Sequence, residues 1–432
     1  PDEVRRLAET CRNCVEPTCV TGCPAQVDIP GFVTAIAEGD ERKAYEVLRR
    51  TNALPEICSL ICPAEVQCEG NCIQRYLTGA PVPIRLLQKY VSEKARREGW
   101  AKVNIPEKTT GKHVAVLGAG PAGLACAIGL LERGHEVTIF DPTGAAAGTA
   151  GATIPRERLP EAVATDEIEA LLGSVPTDRL HWSVGKALGR DLTLADLKKS
   201  GFEAVFLAMG LSEGTALPGA AKPATGVVDA LSFLRDAKKG NVAALPESVA
   251  VLGGGNTAID AASTAKRLGA RDVYIVYRRS FTEMPGWPSE RDEALKLGVH
   301  FLILTQPIDY LADESGAVSG LRVARTRLGE PDDSGRRRPE VVKGSEWVMD
   351  VRLVIEAIGQ RAGADVKKAL CDIEMTSGGL IKTAFASAAT SVGGVFAGGD
   401  IVNGGTTAAR AVHEGYSAAA EIDEYIAAKT GK

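Results

Sequence analysis

The feature that most constrains this chain is a pair of similar segments, each a strand pattern, a glycine-rich turn, a small-residue helix and a second strand pattern. The first segment reads VAVLGAGPAGLACAIGLLERGHEVTIFD, and the second reads VAVLGGGNTAIDAASTAKRLGARDVYIVYRRS. Strands that alternate with helices indicate a parallel sheet covered on both faces. The chain is therefore predicted to have an α/β fold with two nucleotide-binding domains of Rossmann type.

The first glycine turn has the residues that a dinucleotide pyrophosphate requires. Gly118 makes the tight turn, Gly120 lets the backbone approach the phosphates, and Gly123 lets helix and strand pack closely. Asp141 ends the second strand and can accept hydrogen bonds from a ribose. The alternative, glycines that serve packing alone, does not explain the acid at this distance.

The second glycine turn differs from the first at two places. Gly253 and Gly255 keep the turn and approach roles, but Ala258 stands in place of the third glycine. Its second strand ends in Arg278 and Arg279 rather than in an acid, which favours a 2′-phosphate over a free 2′-hydroxyl. Charge-assisted hydrogen bonds contribute about 1.5–3 kcal/mol each. NADPH is therefore predicted to be preferred over NADH, unless the two arginines merely occupy an exposed strand end.

A third motif, FAGGDIVNGGTTAARAVHEGYSAA, follows an apolar strand near the C-terminus. Asp400 after Gly399 can bind a sugar-alcohol hydroxyl, and a helix that starts around Thr406 can face the electron-rich edge of a flavin. The motif supports a flavin-binding site only because the two glycine turns are present earlier in the chain.

Eight of the ten cysteines lie before residue 73, in two runs. The first is C-x₂-C-x₄-C-x₃-C-P from Cys11 to Cys23, and the second is C-x₃-C-P-x₄-C-x₃-C from Cys58 to Cys72. The first run is similar to a bacterial ferredoxin run. Structural zinc, the main alternative, usually takes two short pairs of ligands. Iron–sulfur clusters are therefore predicted, and Cys126 and Cys371 are predicted to be inert packing residues.

Composition excludes several other classes of protein. A net charge of -5 over 432 residues gives no basic field for nucleic acid or an anionic membrane. No apolar stretch is long enough to span a bilayer, and the N-terminus lacks a secretory pattern. We expect a cytoplasmic protein that binds neither nucleic acid nor membrane. Because the chain opens on Pro1, we also expect that upstream residues are missing.

Taken together, these residues resemble the family of the glutamate synthase small subunit, which also includes the NAD(P)H-oxidising part of dihydropyrimidine dehydrogenase. The segments TNALPEICSLICPAEVQCEGNC, GAGPAG, GGGNTAIDAAS, YRRSFTEMPG and AGGD carry the resemblance over almost the whole chain. It implies FAD on the first turn, NADP or NAD on the second, and two [4Fe–4S] clusters in an N-terminal helical domain. The domains implied are a helical iron–sulfur domain over 1–108, a discontinuous FAD-binding domain over 109–226 and 356–432, and an NAD(P)-binding domain over 227–355.

The resemblance also implies which residues hold the two clusters. One cluster would be held by Cys11, Cys14, Cys19 and Cys72, and the other by Cys23, Cys62, Cys68 and the amide of Gln88. Cys58 would then be a bystander. An amide ligand is unusual, and the residues alone would not have suggested it.

The family further implies a set of cofactor-binding positions. The FAD positions are Gly118, Gly120, Pro121, Ala122, Gly123, Asp141, Gly148, Arg158, Gly210, Gly399, Asp400, Thr406, Thr407 and Ala408. The NAD(P) positions are Gly253, Gly255, Asn256, Thr257, Arg278, Arg279 and Gly359. Arg158 matches a family arginine near the flavin, and no residue is predicted to act as an acid or base. The segment AAAGTAGATIPRERLP departs from the family pattern G-G-x-L-x-x-G-I-P-x-x-R-L-P, so the resemblance does not extend to how the flavin ring is covered.

The family implies an FAD-dependent NAD(P)H oxidoreductase that is a subunit of a larger complex. Electrons would pass through the clusters to a catalytic or electron-accepting partner subunit, as in glutamate synthase, with a dihydropyrimidine dehydrogenase, an aldehyde oxidoreductase or a ferredoxin-linked complex as alternatives. A thioredoxin-reductase-like enzyme would need a redox C-x-x-C in the second nucleotide domain, which has no cysteine. A zinc-stapled adaptor with a vestigial nucleotide fold is the remaining alternative.

Overall fold

The structure, a computed structural model, describes residues 2–332 and 335–430. The chain divides into two compact units. Unit 1 holds the residues up to 152, residues 156–211 and those from 362 onward, and unit 2 holds residues 153–155 and 212–361. The N-terminal helices thus share a unit with the first sheet, and the division into three domains stays a prediction.

The N-terminal part of unit 1 consists of short helices separated by the cysteine loops. Asp28 and Asp40 begin two of them, because their carboxylates accept hydrogen bonds from the backbone N–H groups of Gly31 and Lys43. Gly39, in the left-handed region, ends the first of these two. The helices are α1 Asp2–Ala8, α2 Thr18–Thr21, α3 Ile29–Glu38, α4 Glu41–Arg49, α5 Pro55–Ile61, α6 Gln74–Thr78 and α7 Ile84–Arg97, with a 3₁₀ turn at Ala64–Val66.

The first glycine turn joins a strand to a helix, as the sequence predicts. Helix α8 is buried along almost its whole length because it is built from alanine, glycine and leucine and lies on the sheet. The elements in order are β1 His113–Leu117, α8 Pro121–Glu132, β2 Glu136–Asp141, α9 Gly148–Thr153, α10 Glu161–Leu172, β3 Leu180–Val184, α11 Leu194–Lys199 and β4 Ala204–Leu207.

Unit 2 repeats the strand–turn–helix design and adds an antiparallel sheet. Its strands and helices are β5 Glu213–Gly214, β6 Val227–Asp229, α12 Ala230–Lys239, β7 Ser248–Leu252, α13 Asn256–Arg267, β8 Asp272–Val276, α14 Pro288–Lys296, β9 His300–Leu302, β10 Thr305–Ala312, β11 Val318–Pro331, β12 Arg337–Val341, β13 Trp347–Met349, β14 Leu353–Glu356 and β15 Gln360–Arg361. The parallel sheet has the order β6-β14-β7-β8-β9. The antiparallel sheet, β10-β11-β12 with β13 paired to β11, was not predicted.

The chain then returns to unit 1 and completes its sheet. The last elements are α15 Ala364–Ala369, β16 Val395–Ala397, α16 Asp400–Asn403 and α17 Ala408–Thr430. The sheet has the order β16-β4-β1-β2-β3, and all its pairs are parallel. The predicted α/β fold with two nucleotide-binding sheets is confirmed. Among the described residues, no helix combines the length and the apolar character that crossing a membrane requires.

Candidate cofactor-binding sites

The first glycine turn leaves room for a ligand at one glycine and none at the other two. A Cβ on Gly118, at a φ of 108°, would lie 2.4 Å from the carbonyl oxygen of Ala208. A Cβ on Gly123 would lie 1.9 Å from the carbonyl oxygen of Gly118. Gly120 has nothing within 4 Å of its own Cβ position. The turn is therefore closed towards the protein and open at the N-terminus of α8, where a pyrophosphate fits.

Asp141, predicted to bind a ribose, is buried and hydrogen-bonded to the turn itself. Its Oδ2 accepts from the backbone N–H of Ala119 at 2.9 Å, and its Oδ1 accepts from the backbone N–H groups of Thr143 and Gly144 at 2.8 Å. Asp141 thus fixes the glycine turn to the loop after β2. A carboxylate oxygen can accept two hydrogen bonds, so Oδ2 retains capacity for a ribose hydroxyl. That role stays a prediction.

Two distant segments reach the first glycine turn. A Cβ on Gly148 would lie 2.8 Å from the Cα of Gly120, which places the start of α9 against the turn. A Cβ on Gly399 would lie 3.0 Å from the Cβ of Ala122, which places the turn after β16 against the start of α8. The structure thus brings together glycines that are up to 281 residues apart in the chain.

The C-terminal motif is held by a residue that sequence reasoning missed. Glu414 on α17 accepts hydrogen bonds from the backbone N–H of Gly399 at 2.7 Å and from the side chain of Asn403 at 3.0 Å. Burial raises the pKa of Asp400, and a hydrogen bond from the backbone of Thr406 opposes that rise. Glu414 lies on α17, and no pattern in the sequence identifies it as a residue that holds the C-terminal motif.

The remaining FAD positions lie around this turn or near it in sequence. Gly210, at a φ of 62°, follows β4 and has open space beside it. The hydroxyl of Thr407 accepts a hydrogen bond at 3.4 Å from Gln67 in the cysteine-rich part. Arg158 is half-buried between α9 and α10, and Ala408 begins α17.

The segment that departs from the family pattern still forms helix α9. Ala147 stands where relatives have the first glycine of their pattern, and it is buried with a φ of 58°. A residue with a Cβ in this region of φ is strained by about 1–2 kcal/mol. The loss of that glycine is therefore accommodated by strain at Ala147.

The second glycine turn, in unit 2, has the same design as the first. A Cβ on Gly253, at a φ of 130°, would lie 2.3 Å from the carbonyl oxygen of Ala357. Gly255 has nothing within 4 Å of its Cβ position, and α13 begins at the next residue, Asn256. The side chain of Asn256 accepts a hydrogen bond from the backbone of Trp287 at 3.0 Å. The turn fits a second pyrophosphate, with Thr257 in the first helical turn.

Arg278 and Arg279 are not equivalent in the structure. Arg278 is exposed just beyond β8, whereas Arg279 is 5% exposed. The guanidinium of Arg279 donates to the carbonyl oxygen of Arg337 at 2.7 Å and to Asp332 at 2.6 Å. Arg278 is therefore the better placed of the two to meet a nucleotide phosphate.

Four of the predicted ligand thiols interact with one another. Burial raises the pKa of Cys11, and the thiols of Cys14 and Cys72 raise it further. Burial, followed by the thiols of Cys72 and Cys11, raises the pKa of Cys19 to about 11. The loop from Cys11 to Cys19 is thus close to Cys72, which comes from the second cysteine run.

Three other thiols form a second group. Burial raises the pKa of Cys23, and the thiol of Cys62 adds to the effect. Burial also raises the pKa of Cys68, and the thiols of Cys23 and Cys62 add to it. The Nε2 of Gln88 donates a hydrogen bond to the carbonyl oxygen of Pro55 at 2.7 Å.

The donor set suits positively charged iron–sulfur cores. Closely spaced thiols with raised pKa values ionise readily only when a cation is bound among them. Among residues 2–332 and 335–430, no three histidine, cysteine or acidic side chains form a site for a single metal ion.

The other three cysteines differ in their surroundings. Cys58 is buried, and a hydrogen bond with the thiol of Cys62, followed by burial, raises its pKa. Cys126 is fully buried in α8, as predicted. Cys371 was predicted to pack, but this was wrong: it is exposed beyond α15 because the chain there runs over the surface.

A buried carboxyl group that sequence reasoning also missed holds the helix that carries Cys58. Glu167 on α10 accepts hydrogen bonds at 2.7 Å from the backbone N–H groups of both Glu56 and Ile57, at the N-terminus of α5. Glu56 is itself paired with Arg96 at 2.9 Å. Helix α5 is thus capped from outside the cysteine-rich part of the chain.

Comparison with known proteins matches two parts of the chain to described families. Residues 1–100 match the family described as dihydropyrimidine dehydrogenase domain II, 4Fe-4S cluster, and residues 112–415 match the family described as pyridine nucleotide-disulphide oxidoreductase. Among solved structures, FprA of Mycobacterium tuberculosis in complex with NADPH has a TM-score of 0.60 at 17% identity, over 74% of this chain and 86% of that chain. At that identity the likeness shows the fold alone.

Several curated proteins match almost the whole chain. The glutamate synthase [NADPH] small chains of Azospirillum brasilense and Escherichia coli are 34% and 36% identical, over 99% and 98% of this chain and 90% and 92% of theirs. The NADP(+)-dependent formate dehydrogenase subunit beta of Moorella thermoacetica is 38% identical over 94% of this chain, which spans 60% of that subunit's length.

Proposed function

This chain belongs to the family of the glutamate synthase small chain, within the pyridine nucleotide-disulphide oxidoreductases, and we propose that it passes electrons from NADPH to a partner subunit. One observation carries this proposal: a single chain combines two open glycine turns with two separate groups of interacting, mostly half-buried thiols. The turns suit a flavin and a nicotinamide nucleotide, and the thiols suit two clusters. When bound, FAD and a nicotinamide nucleotide would supply hydride transfer, and iron–sulfur clusters would supply single-electron transfer.

The residues of this chain bind and orient the two nucleotides. The N–H groups at the starts of α8 and α13 receive the pyrophosphates, because the glycines there allow close approach. Gly148 and Gly399 bring α9 and α16 to the FAD turn, and Asp400 offers a carboxylate to a sugar-alcohol hydroxyl. No acid or base is required, since positioning is what the protein contributes.

We assign the cluster ligands crosswise between the two cysteine runs. The interacting thiols of Cys11, Cys14, Cys19 and Cys72 support the first set, and those of Cys23, Cys62 and Cys68 support the second. Gln88 completes the second set. Its Nε2 is engaged with Pro55, and its Oε1 accepts no hydrogen bond within the described part of the chain, which leaves that oxygen for an iron.

The partner subunit would dock on the apolar surface around the first thiol group. Val15, between Cys14 and Cys19, is 99% exposed, and Tyr76 on α6 is 76% exposed. A hydrogen bond of 2.7 Å between Arg12 and Gln74 joins the cysteine loop to α6, so both side chains belong to one surface. We call it the cluster face. An electron-accepting subunit is its proposed occupant, because electron transfer requires a cluster close to the acceptor.

The glutamate synthase large subunit is our first choice of partner, and a dehydrogenase subunit such as that of formate dehydrogenase is the alternative. The second nucleotide unit has no cysteine, which argues against a thioredoxin-reductase-like dithiol enzyme.

Dependence on a partner is the experiment that tests this function. The purified chain, loaded with FAD and clusters, is expected to reduce viologen or tetrazolium dyes with NADPH. It is expected to show no turnover of glutamine plus 2-oxoglutarate until a partner subunit is added. Turnover of that substrate pair by the chain alone, or no dye reduction, would contradict the proposal.

The same assay tests the cluster face. Val15→Asp with Tyr76→Asp should keep dye reduction, because a small dye needs no docking surface, and should lose more than about tenfold of partner-dependent turnover. Val348→Asp, at an exposed apolar residue of unit 2, is the matched control and should leave both activities unchanged. Equal losses in the two variants would count against this docking surface.

A further inference from the structure

The hairpin formed by β11 and β12 is attached to the end of β8 beside the second glycine turn. Arg279 makes the attachment: its Nε donates to the carbonyl oxygen of Arg337 at 2.7 Å, and its terminal nitrogen donates to Asp332 at 2.6 Å. Both acceptors belong to the hairpin. The hydroxyl of Thr326 on β11 adds a hydrogen bond of 2.8 Å to the carbonyl oxygen of Arg278.

Asp332 is also hydrogen-bonded to Gly335 and Arg336, just before β12. Its backbone N–H donates to the carbonyl oxygen of Arg336 at 2.8 Å, and its Oδ1 accepts from the backbone N–H of Arg336 at 3.3 Å. Gly335 donates its N–H to the carbonyl oxygen of Asp332 at 2.8 Å. The position of Arg336 is therefore tied, through Asp332, to the buried guanidinium of Arg279.

The result is a second exposed arginine beside Arg278. Arg278 and Arg336 are both exposed, whereas Arg279 is 5% exposed. Burial lowers the pKa of Arg278, and the charges of Arg279 and Arg336 lower it further. The charges of Arg279, Arg336 and Arg278 also lower the pKa of Tyr277, against the larger effect of burial, so the positive charges gather at one strand end.

We propose that Arg336, supplied by the hairpin, binds the 2′-phosphate of NADPH together with Arg278, while Arg279 and Asp332 are positioning residues. This inference rests on the proposed function, in which the second glycine turn binds the nucleotide. A phosphate monoester carries close to two negative charges, and two guanidinium groups can hold it with paired hydrogen bonds. Arg279 cannot turn towards the phosphate without leaving Asp332.

In a competing interpretation, Arg279 binds the 2′-phosphate and the negative charge of Asp332 repels it. The two interpretations predict opposite effects when Asp332 loses its charge. Under the competing interpretation, Asp332→Asn removes a repulsion, frees Arg279 and tightens phosphate binding. Under our proposal, the same change loosens the hairpin and weakens phosphate binding, although a negative charge has been removed.

The experiment is a calorimetric titration of the cofactor-loaded chain with 2′,5′-ADP and, separately, with 5′-AMP. The two ligands differ only in the 2′-phosphate, so the ratio of their dissociation constants isolates the contacts to it. Arg336→Gln is expected to weaken binding of 2′,5′-ADP by about tenfold to a hundredfold and to leave 5′-AMP unchanged. Asp332→Asn is expected to weaken 2′,5′-ADP about tenfold.

Arg327→Gln is the matched control, because it removes the same charge from β11. Arg327 is exposed and is paired with Glu340 at 2.9 Å. The KM for NADPH, measured by flavin reduction, should rise in the Arg336 and Asp332 variants while the KM for NADH stays constant. A structural defect would instead raise both.

The results separate this inference from the proposed function. Wild-type protein that binds 2′,5′-ADP and 5′-AMP equally well would overturn the NADPH preference and this inference with it. A wild-type preference that survives unchanged in Arg336→Gln would overturn the inference alone. Tighter binding of 2′,5′-ADP by Asp332→Asn would also overturn it.

Discussion

Replacing Cys19 with alanine is expected to halve the iron of the anaerobically purified chain, from about eight to about four atoms, with acid-labile sulfide falling in parallel. The reason is the crosswise grouping of the thiols. Cys19 lies next to Cys11 and Cys72, whereas Cys23, only four residues further on, lies next to Cys62 and Cys68. Loss of one ligand should therefore remove one cluster and spare the other. Iron and sulfide analysis with low-temperature electron paramagnetic resonance measures the outcome.

Gln88→Ala tests the other group in the same way. It should disturb the cluster held by Cys23, Cys62 and Cys68 and leave the Cys19 cluster intact. Cys126→Ala is the control, because Cys126 is fully buried in α8 and is not assigned to either group, and it should keep the full iron content. Finding zinc and no acid-labile sulfide in the purified wild-type chain would contradict the iron–sulfur interpretation. Loss of both clusters, or of neither, in the Gln88 variant would count against the crosswise assignment.

The Cys58→Ala variant tests whether Cys58 is a ligand of the second cluster or only a neighbour of its ligands. The bystander role assigned to Cys58 predicts that iron and sulfide stay at the wild-type level. Its hydrogen bond with Cys62 predicts a change in the resonance spectrum or midpoint potential of the second cluster, because hydrogen bonds to ligand sulfur affect the potential. A fall in iron content would make Cys58 a ligand instead.

The parts of the fold that could be predicted are those that depend on local sequence patterns. The two glycine turns have a fixed spacing, and the positions where only glycine fits, such as Gly123, are also fixed by local geometry. The strands beside them are runs of apolar residues because both faces of a parallel sheet are buried. The thiol groups were predictable from cysteine spacing only with the help of the family resemblance.

The parts that were not predictable depend on contacts between distant residues. Arg279 was interpreted together with Arg278 because the two are adjacent, but Asp332, 53 positions away, engages Arg279. The antiparallel sheet of unit 2 was missed because β10 to β13 contain many charged residues and lack a strict alternation. Glu167 lies 111 positions from the backbone that it caps, and one more glutamate on an amphipathic helix gives no local signal.

The second large effect is expected when Glu167 is replaced, and it concerns the free energy of unfolding. Its carboxyl group satisfies two buried backbone N–H groups at the start of α5, the helix that leads to Cys62. A buried donor left without a partner costs about 1–3 kcal/mol, so Glu167→Ala should lower the free energy of unfolding by about 2–6 kcal/mol. Glu169→Ala, at an exposed position of the same helix, is the control. Urea-induced bleaching of the clusters measures stability, and hydrogen exchange at the amides of Glu56 and Ile57 reports directly on the lost bonds.

The pH dependence of this effect has a definite sign. Burial raises the pKa of Glu167 to about 8, above the ordinary value near 4.5 that it regains on unfolding. The folded chain therefore holds a proton that the unfolded chain has released, and the stabilisation by Glu167 is complete below about pH 4.5 and is lost as the pH rises through about 8. The stability difference between wild type and Glu167→Ala should thus shrink with pH across this window, by at most about 1.4 kcal/mol per unit.

Glu167→Gln shows which protonation state the folded chain holds. A glutamine has one acceptor oxygen and cannot titrate, so this variant should keep one of the two backbone bonds and be intermediate in stability. Relative to it, the wild-type chain should lose stability between pH 5 and pH 8. If the wild-type chain instead keeps its stability over that range and loses it only as the pH falls below about 4.5, the two N–H bonds outweigh burial and Glu167 is a carboxylate in the folded state. Helix α5 would then be held by a buried charge, which the positive charge of Arg49 favours by lowering the pKa of Glu167.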